Sequence, residues 1–303
     1  MPLTMHKLSK SMILVRSVSS FYDTILELYL TLTGPWTAGS PNALAFNPLP
    51  LISNNSATIL ATARNQDPTE YLPAGLDHTI ITGYTMQKQS LATRLAQNNV
   101  AAYEIINNNA GSLTVSVMHP FSRGTCYIQS ADPFQPPAID PRWLTNPVDR
   151  QVLIEALLFN RRILATPPMM ELQAAQFVPP VDADLDAINQ VINNGIRTEF
   201  HPSGTLAMLP LEQGGVVDSH LRIWGTQNLR VVDAGVFPII PAAHLQAVVY
   251  GVAEKVEVLV LQTYGTLLTT SQRQLISSRQ TIFQHSRCPR RLQIRQEFQQ
   301  TPL

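Results

Sequence analysis

Apolar residues recur with a helical period in four segments of the chain. The pattern fits a helix over Phe21–Leu32, over Thr85–Ile106 and again over Asp182–Asn194. The clearest helix start is Asn146, an N-cap residue that is followed by a proline and then by an acidic residue in the first turn. We expect that helix to run to about Ala165.

Three other segments have the composition or alternation typical of β-strands. Apolar and polar residues alternate over 113–117, and a turn separates them from 125–129, so the two segments predict a β-hairpin. Four prolines between Asp132 and Arg142 predict irregular structure there. Leu229–Asp233 is rich in β-branched residues and predicts a buried strand.

The predicted strand Leu229–Asp233 is followed by a loop and a long helix. Apolar residues fall at helical spacing from Leu245 to Leu259, and Gly265 lies just beyond them. Past Thr269 the chain is rich in Gln, Ser and Arg, with six arginines against the single acid Glu297. We expect this tail to be disordered, because it has too few apolar residues to form a core.

Composition excludes several classes of partner and chemistry. The chain has 303 residues, 45% of them hydrophobic, and a formal net charge of zero, so no protein-wide basic field favours nucleic acid. Two distant cysteines, Cys126 and Cys288, predict neither a disulfide framework nor a metal site. The sequence has no predicted membrane span or signal peptide, no Gly-x-Ser-x-Gly elbow of a hydrolase and no His-Glu-x-x-His zinc motif.

Four motifs in the last third of the chain carry a family resemblance. They are His201–Thr205 (HPSGT), Gly214–Asp218 (GGVVD), Leu229–Ala234 (LRVVDA) and His244 before the long helix. Their order and spacing resemble the C-terminal signature of glucose-methanol-choline (GMC) oxidoreductases. Three upstream segments resemble the substrate-domain half of the same family: Gly34–Gly39, His119–Thr125 and Ile139–Trp143. The resemblance covers roughly residues 20–262 and is closest to members from fungal secondary metabolism.

The resemblance implies an FAD-dependent enzyme that oxidises a small primary or secondary alcohol. In this family the alcohol loses its hydroxyl proton to a histidine while hydride leaves the same carbon for the flavin. The resemblance places the side chains of His201 and His244 at the flavin, where a neutral imidazole is a suitable base near pH 7. Many relatives have Asn at the position of His244, and Asn cannot act as a base. Hydrogen bonding alone is therefore a possible role for His244. The sequence leaves open which histidine is the base.

The resemblance also implies cofactor contacts on either side of His244. Asp233 and Ala234 would lie near the phosphate and ribitol part of FAD. Leu245 and Gln246 would present backbone N–H groups toward the isoalloxazine ring. A helix N-terminus has unpaired N–H donors and roughly half a positive charge, which suits the negative charge of a reduced flavin.

The predicted fold is α+β, with an antiparallel sheet and helices in a GMC-like substrate domain. The strand Leu229–Asp233, the loop that follows it and the helix from Leu245 would belong to a Rossmann-like FAD-binding domain. The predicted boundaries are an unassigned segment 1–19, a substrate domain 20–198, a piece of the FAD domain 199–265 and a tail 266–303.

None of the fourteen glycines has the Gly-x-Gly-x-x-Gly spacing that cradles a dinucleotide pyrophosphate. In GMC enzymes this turn lies near the N-terminus, so the sequence is interpreted as lacking that segment. Two hypotheses follow. The chain is an alcohol-oxidising FAD enzyme or part of one, or it is a non-catalytic remnant or a half-protein that needs a separate FAD-binding chain. We expect the chain alone to lose FAD.

Overall fold

The computed structural model of the chain describes residues 3–4, 26–33, 43–108, 112–171 and 178–264. Residues 26–30 are helical, as predicted for Phe21–Leu32. The Gly34–Gly39 motif and the tail beyond Thr269 lie outside the described residues. Backbone contacts divide the chain into two compact units, Met1–Tyr250 and Gly251–Leu303, and the candidate site lies in the first.

Antiparallel pairing joins all the strands of the described residues. Their bounds are β1 (Leu3–Thr4), β2 (Ala43–Pro48), β3 (Ala101–Asn108), β4 (Ser112–Val117), β5 (Thr125–Tyr127) and β6 (Ala138–Asp140). The first sheet has the order β1-β4-β3-β2, and β5 pairs with β6 in a second sheet. The α+β class with an antiparallel sheet is therefore confirmed.

Most of the remaining regular structure among the described residues is helical. The bounds are α1 (Leu49–Ile52), α2 (Ser56–Asn65), α3 (His78–Arg94), α4 (Pro147–Leu164), α5 (Pro167–Glu171), α6 (Leu185–Gly195) and α7 (Leu245–Tyr264). Among the described residues, no helix is both long and apolar enough to cross a bilayer.

The two faces of the first sheet have different roles. Successive side chains of a strand point to opposite faces. On one face, Tyr103 is fully buried and makes an edge contact with Phe159 of α4. On the other face, Glu104 lies opposite Phe46 of β2 and Ser116 of β4. These three residues form a row across the sheet on the face that does not pack against α4.

The main hydrophobic core contains residues of the first sheet and of helices α2, α3 and α4. Its members include Leu60, Leu91, Ile105, Val152 and Leu157, all nearly inaccessible to solvent. Burying one such side chain stabilises a fold by roughly 1.5–3 kcal/mol. The core fixes the position of β3, which carries Glu104 on its other face.

The helix predicted over Thr85–Ile106 is wrong in its second half. Helix α3 ends at Arg94, and residues 101–108 form β3. The helix also begins earlier than predicted, at His78, because the Asp77 carboxylate accepts a hydrogen bond from a first-turn backbone N–H. Aromatic and β-branched residues in β3 favour a strand, and pairing with β2 and β4 on both sides stabilises it.

The predicted hairpin has one correct strand and a wrong partner. Residues 112–117 form β4, but β4 pairs with β3 and β1. The other predicted strand contains β5, which pairs with β6 inside the segment that prolines were expected to keep irregular. Strand β6 contains no proline itself and is bounded by Pro137 and Pro141, so its backbone can pair.

The buried strand predicted over Leu229–Asp233 does not form in the described structure. The Val231 side chain is buried, and its N–H donates to Leu221 O at 3.0 Å. Arg230 makes an isolated antiparallel bridge with Arg222. A strand needs a continuous neighbouring strand for its hydrogen bonds, and this segment pairs with a loop.

Two predicted helices are confirmed, and one of them has the predicted cap. The Asn146 carboxamide accepts the Val148 N–H at 3.0 Å at the start of α4, which runs to Leu164. Helix α7 begins at Leu245, directly after His244. The predicted domain boundaries stay predictions.

Candidate active site

The structure brings together the two histidines that the sequence motifs single out. The ring centroids of His201 and His244 lie 5.7 Å apart, and the ring planes are tilted by 57°. Both residues are partly exposed. Two imidazoles at this spacing can contact the same small molecule.

A short ladder of backbone hydrogen bonds holds the loop after His201. Gly204 N–H donates to Ala234 O at 3.1 Å, Leu206 N–H to Gly235 O at 2.9 Å, and Met208 N–H to Val236 O at 2.9 Å. The loop therefore runs beside the 3₁₀ turn 234–236, which precedes His244 in the chain. Gly204 has a φ of +80°, a conformation that glycine adopts without steric cost.

Glu104 anchors His244 from the middle of β3. His244 Nε2 lies 2.8 Å from Glu104 Oε1, and the side chains are 40% and 0% exposed, respectively. When Glu104 is ionised, its oxygen accepts this hydrogen bond and Nε2 donates it. By contrast, the His201 ring has no hydrogen-bond partner among the described residues. The two histidines are thus held differently.

A second carboxylate lies beside this pair. Glu104, Glu199 and His244 each place a nitrogen or oxygen atom within 4.8 Å of the others. Burial raises the pKa of Glu104; the nearby His244 acts in the opposite direction, and the charge of Glu199 raises it further. Glu199 Oε2 accepts a hydrogen bond from Ser116 Oγ. The loop that carries His201 is therefore tied to the sheet.

The first turn of α7 provides further donors next to His244. The backbone N–H groups of Leu245 and Gln246 have no acceptor among the described residues. Such first-turn groups are free in any helix and carry the positive end of its dipole. This position suits an electron-rich carbonyl or an anion.

Asp233 and Ala234 have clear structural roles in this region. Asp233 Oδ1 accepts the Gly235 N–H at 2.7 Å and caps the 3₁₀ turn. Ala234 O accepts the Gly204 N–H. These contacts position the loop that carries His201, and the cofactor contacts implied for both residues stay predictions.

A cavity of about 680 Å³ shares Phe46 with this site, although His201 and His244 are not among its lining residues. Its lining includes Phe46, Arg94, His119 and Ala242. The Phe46 ring also makes an edge contact with His244, with the centroids 6.4 Å apart. Burial lowers the pKa of His119, whose Nδ1 has no partner among the described residues. The wall of this cavity mixes apolar residues with the polar side chains of Arg94, Asn98, Asn99 and His119.

Comparison with known proteins identifies the family. Residues 120–253 match the family model for GMC oxidoreductase. This segment belongs to the GMC oxidoreductase family. Members of that family are FAD-dependent oxidoreductases.

Similar proteins include patulin synthase of Aspergillus clavatus, which is 40% identical over 151 residues, or 49% of this chain and 24% of the relative. A solved FAD-dependent oxidoreductase from Chaetomium thermophilum is 26% identical with a TM-score of 0.81. A fungal aryl-alcohol oxidase is 27% identical with a TM-score of 0.73. Both structural matches cover 87% of this chain and 46% of the other. The chain spans 35% of the length of the first curated relative it matches.

Motif reasoning missed three residues of the site: Phe46, Glu104 and Glu199. Phe46 and Glu104 lie on strands that the sequence pattern did not predict, so no motif connects them with His244. One signal was present. An acid within the apolar run Ala101–Ile106 is unusual for a buried strand and indicates a partnered carboxylate.

Proposed function

We propose that this chain carries the proton-transfer side of an FAD-dependent alcohol oxidation, with His201 as the proton acceptor and His244 as a positioning residue that Glu104 holds beside it. One observation carries the proposal: the His201 ring, which has no hydrogen-bond partner among the described residues, lies 5.7 Å from the His244 ring, which Glu104 anchors. The family match and the aryl-alcohol oxidase among the similar structures support the reaction class.

His201 meets the requirements of a general base. A base needs an accessible lone pair, and neither ring nitrogen of His201 is engaged among the described residues. Histidine is also the side chain that most often serves as a general base in enzymes. We infer that His201 takes the hydroxyl proton of a primary or secondary alcohol.

His244 is suited to a different task. Its Nε2 proton is directed at Glu104 Oε1, which fixes the ring orientation. Its other nitrogen, Nδ1, can accept a hydrogen bond from the substrate, and the fixed ring forms one wall of the site. His244 thus orients the substrate, and His201 moves the proton.

The residues present fit an FAD isoalloxazine. The unpaired N–H groups of Leu245 and Gln246 suit the electron-rich edge of the ring, and both imidazoles lie next to that helix start. When bound, FAD would supply the acceptor for the hydride that leaves the alcohol carbon. The contacts of Asp233 and Ala234 with the cofactor belong to the same proposal, as does a role in fungal secondary metabolism.

The reaction class can be tested with matched alcohols that differ in whether the carbinol carbon carries a hydrogen. We would join this chain to the N-terminal FAD-binding segment of a GMC relative and follow flavin absorbance anaerobically. Primary or secondary aryl and alkyl alcohols should bleach the flavin, whereas a matched tertiary alcohol should not, because its carbinol carbon has no hydrogen to transfer. Bound flavin that no alcohol with a carbinol hydrogen reduces would contradict the proposal.

A further inference from the structure

Glu199 faces Glu104 inside the site. One oxygen of each carboxylate has a partner: Glu104 Oε1 accepts from His244, and Glu199 Oε2 accepts from Ser116 Oγ. The other two oxygens, Glu104 Oε2 and Glu199 Oε1, are buried and have no hydrogen-bond partner among the described residues. Both side chains thus leave one buried acceptor unsatisfied in the same small space.

Two ionised carboxylates in this arrangement would be costly. Buried acceptors without donors cost about 1–3 kcal/mol each, and like charges at short range disfavour the ionised form of at least one of them. The raised pKa of Glu104, caused first by burial and augmented by Glu199, has the direction expected for such a pair. A single proton would supply the missing donor.

A divalent cation is the other species that can join the two carboxylates and His244. Two ligand atoms at about 2.1 Å from a tetrahedral zinc lie about 3.4 Å apart. The distance between His244 Nε2 and Glu104 Oε1 is 2.8 Å, which is a hydrogen-bond length. That spacing is shorter than the separation of two zinc ligands, so the geometry favours a shared proton.

We propose that Glu104 and Glu199 share one proton, and that Glu199 is thereby a positioning residue for the Glu104–His244 pair. With one proton between them, the two carboxyls carry a single negative charge, and Glu104 keeps one oxygen for His244. The same proton connects β3, which anchors His244, to the loop that carries His201. The proposal concerns the charge state of the site and holds whether or not the alcohol oxidation is correct.

Few titratable groups face this proton in the described structure. They are Glu199 from the loop before His201, and His244, whose ring contacts the ring of His201. The cross-strand neighbours of Glu104, Phe46 and Ser116, do not titrate in the ordinary range. A pH effect can therefore be assigned to the carboxyl pair by changing either carboxyl.

Infrared difference spectroscopy of the 303-residue chain tests for the proton directly. The wild type at neutral pH should show the C=O stretch of a protonated carboxyl, with a shift in D₂O. Either Glu199→Gln or Glu104→Gln alone should remove one such band, because one proton serves both groups. Glu212→Gln, at an exposed position, is the matched control and should leave the band unchanged. A band that persists in both test variants would overturn the proposal, and so would its absence from the wild type.

Stability against pH gives a second readout. The raised pKa of Glu104 means that the folded protein holds a proton at pH values where the unfolded chain has lost it. Between the unfolded pKa of about 4.3 and the folded pKa, unfolding therefore releases one proton, and the equilibrium constant for unfolding should rise about tenfold per pH unit. Glu199→Gln should remove this one-proton dependence in urea unfolding, and Glu212→Gln should keep it. An unchanged pH dependence in Glu199→Gln would contradict the proposal. Stoichiometric Zn²⁺ binding that Glu199→Gln abolishes would establish a metal site in place of the proton.

Discussion

Glu104 gives the sharpest test of how His244 is held. Its carboxylate is fully buried and accepts the His244 Nε2 hydrogen bond at 2.8 Å. Glu104→Leu replaces the carboxyl with an apolar side chain of similar size and leaves His244 Nε2 without its partner. Glu104→Gln keeps an acceptor for His244 and adds a donor toward Glu199.

The size of the effect follows from the lost hydrogen bond. A hydrogen bond that involves a charged group contributes about 1.5–3 kcal/mol. At about 1.4 kcal/mol per factor of ten, its loss from the oriented state corresponds to a decrease of roughly 10- to 150-fold in kcat/KM. Glu104→Gln should stay within about tenfold of the wild type, because its amide oxygen can replace the carboxylate oxygen.

The assay is alcohol oxidation by the chain joined to a GMC FAD-binding segment, with bound flavin measured for each variant. Flavin content should be similar in all three proteins, since the contact of Glu104 is with His244. If Glu104→Leu matched Glu104→Gln in kcat/KM, the carboxylate would not be orienting His244, and the division of roles between the histidines would lose its basis.

Three further predictions concern stability and cofactor retention. Gly215→Ala should destabilise the fold by about 3 kcal/mol in urea unfolding, because its Cβ would lie 1.8 Å from Leu209 O; wild-type stability would refute this. Gly251→Ala, where a Cβ meets nothing within 4 Å in α7, should instead stabilise by about 0.5–1 kcal/mol, and a loss would contradict the helix. The 303-residue chain alone should not carry FAD through gel filtration, because its sequence has no Gly-x-Gly-x-x-Gly turn; a stoichiometric flavin peak would refute this.

Local signals predicted those parts of the fold in which neighbouring residues determine the structure. Helix α4 follows its Asn146 cap, and α7 follows its apolar period. Strand β3 was predicted as helix because its apolar spacing fits either period over a short run. Its identity depends on pairing with β2 and β4, and β2 is more than fifty residues away in sequence.

The same distinction explains what sequence could predict of the site. Motifs located His201 and His244, and the structure places their rings together. Glu104 reaches His244 across 140 residues of sequence, so only tertiary packing reveals the contact. Glu199 lies two residues before His201, yet its role depends on Ser116 and Glu104, both of which come from the sheet.

Chemical rescue of His201→Ala tests the central claim most directly. In the chain joined to an FAD-binding segment, the rate of flavin reduction by alcohol should fall about 10²- to 10⁴-fold, the range typical of a lost general base. Bound flavin should be retained, and added imidazole should restore part of the rate in His201→Ala but not in His244→Ala. Near-normal reduction by His201→Ala, or rescue confined to His244→Ala, would show that His201 is not the proton acceptor.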